Sequence, residues 1–175
     1  MNDSVKQHSV TQHRAQSPDS VRLAVITVSD TRTLETDRGG QAVVDLAESA
    51  GHLIVSREII PDEPKSMTEL VSKLVGQTDV DAILMTGGTG ISARDQTFET
   101  VSSLLARPLP GYGELFRMLS YQDIGAAAML SRAIGGVAGD NTLLLTMPGS
   151  PAAVRLAMEK LILPEIGHLV SQAHS

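Results

Sequence analysis

Arg94 and Asp95 directly follow a glycine-rich loop, Thr86-Gly87-Gly88-Thr89-Gly90-Ile91-Ser92-Ala93. Glycines at 87, 88 and 90 let the backbone turn tightly and approach a ligand with no Cβ in the way. A glycine loop that enters a helix directs backbone N–H groups and a helix N-terminus at an anion. Arg94 adds a planar donor fork suited to phosphate. Asp95 adds a hard oxygen ligand of the kind Mg2+ takes when it bridges to a phosphate. Phosphate chemistry is therefore the reading of this stretch. The alternative is a tight loop with an N-capping acid and no ligand. The spacing matches neither G-x-G-x-x-G nor G-x-x-x-x-G-K-[ST], so neither the dinucleotide nor the Walker pattern applies.

Positioning these residues requires a strand before the loop and a helix after it. Asp81 introduces the apolar run Ala82–Met85, short enough for a buried strand. A helical pattern starts near Thr97 and carries Phe98, Val101, Leu104 and Leu105. Val21–Val28 is almost continuously apolar and reads as a first strand covered on both faces. Ser29 and Asp30 end it. Loops at the carboxyl ends of parallel strands form the ligand crevice, which gives both residues a claim on a site, with turn formation as the alternative. A helix follows over Gly40–Ala50, then a second strand over Leu53–Ile60. Pro61-Asp62-Glu63-Pro64 ends that strand and places another acid past a carboxyl end, with helix capping as its alternative role. The next helix spans about Lys65–Val75.

In the second half, Arg107-Pro108-Leu109-Pro110-Gly111 breaks the helix begun at Thr97. Gly113–Leu119 and Ile124–Leu130 read as two short helices. Ala133–Ala138 and Thr142–Met147 read as strands, made antiparallel by the Gly139-Asp140-Asn141 turn. At Met147-Pro148-Gly149-Ser150-Pro151, Ser150 is a helix N-cap with Pro151 at the first helical position. The free N–H groups there form a further candidate phosphate contact, including Gly149 and Ser150. A last helix starts around Pro164. The alternation predicts a single α/β domain over 21–175: a three-layer, doubly wound, mostly parallel sheet with a short antiparallel pair near the C-terminal half.

Composition narrows the classes. Aromatic residues make up only 2% with no Trp, so the core must be aliphatic. A net charge of −6 argues against nucleic-acid binding through a broad basic face. With no Cys, disulfides, thiolate metal sites and cysteine nucleophiles are excluded, which fits the cytoplasm. No apolar run reaches membrane-spanning length. Residues 1–20 are rich in Ser, Gln and His and read as a disordered tail, in which His8 and His13 are solvated rather than metal-bound.

Taken in order, Thr86–Gly90, Arg94-Asp95, the Pro110–Arg117 segment, Leu130-Ser131-Arg132 and Met147–Ser150 resemble the MoaB/Mog family of molybdenum cofactor biosynthesis proteins. The resemblance covers about residues 21–170, and the Gly111–Ser120 segment is more similar to the MoaB branch. It implies an enzyme that transfers AMP from Mg-ATP to the terminal phosphate of molybdopterin and releases pyrophosphate. It also implies Asp62 and Asp95 as the functional, Mg2+-holding acids, and a homo-oligomer, trimeric or hexameric, that works beside other cofactor-biosynthesis proteins. One departure stands out: the Asp-Val-Thr-Pro run of the MogA-type loop is here Asp95-Gln96-Thr97-Phe98. Other readings are a non-catalytic molybdopterin carrier, a scaffold of the same pathway, or a nucleotide pyrophosphatase that ignores the pterin.

Overall fold

A computed structural model describes residues 17–175. The tail expectation, with His8 and His13, falls mostly outside the described residues. The strands are β1 (Arg22–Val28), β2 (Leu53–Ile60), β3 (Ala82–Thr86), β4 (Leu105–Pro108), β5 (Gly135–Ala138) and β6 (Thr142–Met147). The helices are α1 (Arg38–Ser49), α2 (Pro64–Val75), α3 (Thr97–Leu104), α4 (Pro110–Ile124), α5 (Pro151–Ala157) and α6 (Leu163–Ala173). The strands form one sheet in the order β2-β1-β3-β6-β5-β4.

Side-chain alternation on the central strands builds both faces. Leu23, Val25, Leu84 and Leu145 pack with Val43, Val154, Met158 and Ile166 on one side. Ala24, Ile26, Ile83, Met85 and Leu144 pack with Met67, Val71, Leu74 and Val101 on the other. Because both faces are covered, β1 and β3 are apolar nearly throughout, as a buried parallel strand requires. β1 pairs in parallel with β2 and with β3, and β3 with β6. The chain winds from β1 to β2 on one side and then to β3 on the other. The loops after β1 and β3 therefore part at their carboxyl ends, where such sheets bind ligands.

Three local expectations are corrected. The helix expected to include Leu105 ends at Leu104, and Leu105–Pro108 is an additional edge strand antiparallel to β5. Pro108 is tolerated there because an edge strand has one side free of ladder bonds. Gly136 opposite it leaves room for the close pairing, since a Cβ there would stand 2.4 Å from Arg107 O. The expected pair of short helices is one continuous α4 followed by a 3-10 turn, Gly125–Leu130, and Gly125 makes the break at φ +63°. α1 begins at Arg38, capped by Asp37, rather than at Gly40. The last helix starts at Leu163, beside Pro164 as expected, but without a break before it. α5 runs into α6 through a widened π-turn at Met158–Ile162, which accommodates a proline that lacks an N–H and whose ring crowds the preceding turn.

Candidate functional site

The glycine loop lies between the ends of β1 and β6. Gly87 and Gly88 have φ of +100° and +62°, which explains why glycine stands at both. A Cβ on Gly87 would stand 2.3 Å from Val28 O, and one on Gly88 would stand 2.5 Å from Asp62 Oδ2. Gly87 N–H donates to Met147 O at 3.0 Å. Thr97 ties the loop to α3: its Oγ1 donates to Gly87 O and its N–H to Gly88 O. Thr86, at the end of β3, donates from Oγ1 to Pro148 O. The backbone N–H groups of Gly88, Thr89 and Gly90 donate to no acceptor among the described residues.

Three acids converge beside these amides. Asp62 is only 6% exposed. Its Oδ1 accepts from Gln96 N–H at 3.0 Å, and its own N–H donates to Asp30 Oδ1 at 3.1 Å. Asp62 thus holds the entrance of α3 and does not cap α2, whose N-cap is Glu63. Asp95 Oδ2 accepts from Ser92 N–H at 3.0 Å, inside its own turn, so the capping alternative for Asp95 is not what forms. Burial pushes the Asp62 carboxyl above its ordinary range. The Gln96 bond opposes that shift, while the charges of Asp95 and Asp30 add to it. Asp30 moves the other way, held down by its bonds from Arg94 and then from the Asp62 amide.

Arg94 differs from the sequence expectation. Its fork is bidentate on Asp30, Nε to Oδ2 and Nη2 to Oδ1, both at 2.7 Å. Asp30 is thereby tied both to Arg94 and to the Asp62 amide. Ser29 takes the turn-forming role, its Oγ accepting from the amides of Thr31 and Arg32. Ser150 caps α5, its Oγ accepting from Ala153 N–H at 3.3 Å. Gly149 packs on the glycine loop, since a Cβ there would stand 3.4 Å from Gly87 Cα.

Sequence reasoning passed over three residues. Asp37 is 1% exposed and accepts from Thr27 Oγ1 at 2.7 Å and Gly40 N–H at 2.9 Å. It is ion-paired with Arg57 at 3.4 Å and with Arg32 at 3.6 Å. Arg32 Nη1 also donates to Gly149 O at 3.0 Å, joining the loop after β1 to the loop after β6. An acid directly before a helical pattern, here Arg38-Gly39-Gly40, was the available signal for Asp37. Arg132 could be found only as part of Leu130-Ser131-Arg132. An open cleft of about 490 Å3 lies against Ser29, Asp30, Arg32, Arg57 and Pro61. A second, of about 540 Å3, is bordered by Asp37, Arg38, Gln41 and Arg155. The first cleft reaches Asp30 and the second Asp37, while Asp62, Asp95 and the loop glycines line neither.

The described residues contain no group of three or more His, Cys, Asp or Glu side chains arranged to hold a metal. Two carboxylates still suit Mg2+, which keeps several waters and completes its shell with substrate phosphates. Asp62 and Asp95 each have one oxygen bonded to a backbone amide and one with no protein donor, which fits that use.

This architecture, an open α/β sheet with a glycine loop and acids at its switch point, is that of a ligand-binding α/β domain. Residues 24–168 match the family described as "Probable molybdopterin binding domain". The chain belongs to the MoaB/Mog family of molybdenum cofactor biosynthesis proteins. It is 52% identical over 167 residues to molybdenum cofactor biosynthesis protein B of Bacillus anthracis, covering 95% of this chain and 98% of that protein. A crystal structure of a molybdenum cofactor biosynthesis protein B superposes with a TM-score of 0.87 at 51% identity, covering 91% of this chain and 99% of that one. The tungsten cofactor synthesizing protein MoaB from Pyrococcus furiosus superposes at 0.77 with 29% identity, covering 91% and 100%. No helix among the described residues is long and apolar enough to cross a membrane.

Proposed function

We propose that this protein is a molybdopterin adenylyltransferase. It transfers AMP from Mg-ATP to the terminal phosphate of molybdopterin and releases pyrophosphate. The observation that carries this reading is the meeting of Asp62, Asp95 and the free amides of Gly88, Thr89 and Gly90 at the switch point of the sheet. An oxygen of the pterin phosphate attacks the α-phosphorus of ATP. The bond from that phosphorus to the bridging oxygen of pyrophosphate breaks, and the pyrophosphate carries away the electron pair. The nucleophile is already ionised, so no general base is needed. Positioning and charge neutralisation do the work.

Within this reading the amides of the glycine loop hold a phosphate. Asp62 and Asp95 hold Mg2+, which, when bound, neutralises charge on the ATP phosphates. Arg94 reaches phosphate by leaving Asp30. That exchange gives up a bidentate pair, but both partners are substantially exposed, so solvent screens part of its loss. The protein works as a homo-oligomer, trimeric or hexameric. Support for an assembly comes from the apolar residues that α4 and the following turn leave exposed: Leu115, Met118, Tyr121, Ile124, Met129 and Leu130.

The test follows pyrophosphate with purified protein, Mg-ATP and molybdopterin, alongside Asp95→Asn. Pterin-dependent release that disappears in the variant is the expected result. Tight pterin binding without release would make the protein a carrier, and release independent of the pterin would make it a pyrophosphatase. Unchanged turnover in Asp95→Asn would overturn the role given to that acid.

A further inference from the structure

Arg132 follows the 3-10 turn and is distant in sequence from the glycine loop, yet it grips that loop from one end to the other. Its backbone N–H donates to Thr89 O at 2.8 Å. Its Nε donates to Gly90 O at 2.7 Å, and its Nη2 to Asp95 O at 3.0 Å. Its Nη1 forms an ion pair with the Glu99 carboxylate on α3. Its guanidinium lies over the Phe98 ring, 5.2 Å from the centroid. One side chain therefore spans the loop from its last glycine to the first turn of the helix.

The segment it grips has few other anchors. Ile91 to Arg94 are exposed, and Ile91 is 67% exposed despite being apolar. The Ser92–Asp95 turn bonds to itself. Its other ties to the body are the exposed ion pairs of Arg94 with Asp30 and Glu63 and the bond from Gln96 N–H to Asp62. Asp95 is held at three points: Ser92 fixes its carboxylate and its backbone N–H, and Arg132 fixes its backbone carbonyl. A planar fork with several donors can hold two carbonyls and a carboxylate together, which a lysine ammonium on a flexible stem cannot do.

We propose that Arg132 is a positioning residue: its fork on Gly90 and Asp95 sets where the Asp95 carboxylate and the free loop amides stand relative to Asp62. Its activity readout rests on the adenylyl-transfer reading above; its structural readout does not. Arg132 touches no reacting atom. It acts through the geometry of the loop, where a shift of about 1 Å can reduce a rate about 10²-fold.

The experiment compares wild type, Arg132→Lys and Arg132→Ala with a control, Arg107→Lys. Arg107 makes a similar two-carbonyl grip, on Asp140 and Ala173, elsewhere in the molecule. Amide hydrogen exchange of the free proteins is measured first. The bonded amides of Ser92, Asp95 and Gln96 should exchange faster in both Arg132 variants and at the wild-type rate in Arg107→Lys. In the pyrophosphate assay, kcat should fall about 10²-fold in Arg132→Lys while KM for the pterin changes little. Millimolar guanidinium, but not ammonium, should restore part of the rate of Arg132→Ala. Arg107→Lys should lose thermal stability without losing kcat.

Unchanged loop exchange in Arg132→Lys overturns the proposal. So does a loss of kcat no larger than that of the control. If the wild type releases no pyrophosphate, the adenylyl-transfer reading fails instead. Loop exchange and Mg2+-dependent binding of ATP, with the same guanidinium rescue, then decide Arg132 by themselves.

Discussion

Replacing Asp62 separates what the site needs from what the fold needs. The side chain is almost fully buried, accepts one backbone bond from Gln96, and has a carboxyl pushed upward mainly by burial. Asp62→Asn keeps an oxygen for the Gln96 amide and removes a desolvated charge near Asp95 and Asp30. Asp62→Ala removes that acceptor and leaves the amide unpaired, at a cost of about 1–3 kcal/mol. The alanine variant should therefore melt below the asparagine variant by roughly 2–12 °C, taking about 2–4 °C per kcal/mol for a chain of this size. In chelator at neutral pH, the asparagine variant should be at least as stable as wild type. The sign with pH follows from the raised folded pKa. Ionised Asp62 disfavours the native state above that pKa, so the wild type gains on the asparagine variant as acidification protonates it. Thermal and urea unfolding of the three proteins across pH give the comparison, and pyrophosphate release should be lost in both variants. An asparagine variant as unstable as the alanine variant at neutral pH would refute the argument from desolvation.

Asp37→Ala should cost about 3–5 kcal/mol, read by urea unfolding, because it leaves Arg57 facing a buried site without its counter-ion. His52 is kept neutral by burial, and its Nδ1 accepts from Val21 N–H. Its pKa is depressed in the fold, so wild-type stability should decline as pH falls below the ordinary value of 6.5, and His52→Gln should flatten that part of the profile. Asp30→Asn should weaken the grip on Arg94 and tighten binding of pyrophosphate in calorimetry; weaker binding would mean that Arg94 does not turn to phosphate.

The parts of the fold set by local pattern could be read directly. Ala82–Met85 and Val21–Val28 are continuous apolar runs because helices cover both faces of β1 and β3, so their strand character needs no knowledge of partners. The loop glycines are similarly legible, since no other residue tolerates that path. β4 was not. Leu104-Leu105 continues a helical spacing and Arg107-Pro108 looks like a breaker; only pairing with β5, some thirty residues on, makes a strand of it. The same limit applied to the site. The acids at 62 and 95 stood out by type, but the partner of Arg94 is 64 residues away in sequence. Asp37 looked like one more acid in a polar loop until Arg57 of β2 was brought against it. Arg132 could not be assigned at all without the loop it holds.

The site is arranged against the stability of the empty protein. Asp30, Asp62 and Asp95 are gathered at one end of a sheet in a chain already carrying a charge of −6, and one of them is buried. Backbone amides from Gln96 and Ser92 and the Arg94 fork offset part of that repulsion. None of them gives Asp62 a cationic hydrogen-bond partner. Asp37 shows that the same fold can do so, since it gives that equally buried acid two arginines. The difference is chemical. A carboxylate already saturated by arginine has no affinity left for a metal ion, whereas one satisfied by a single amide keeps a free oxygen. A ligand that brings positive charge to Asp62 and Asp95 therefore binds the folded state preferentially and stabilises it by mass action. The structural cost of the acid cluster and its capacity to bind have the same origin.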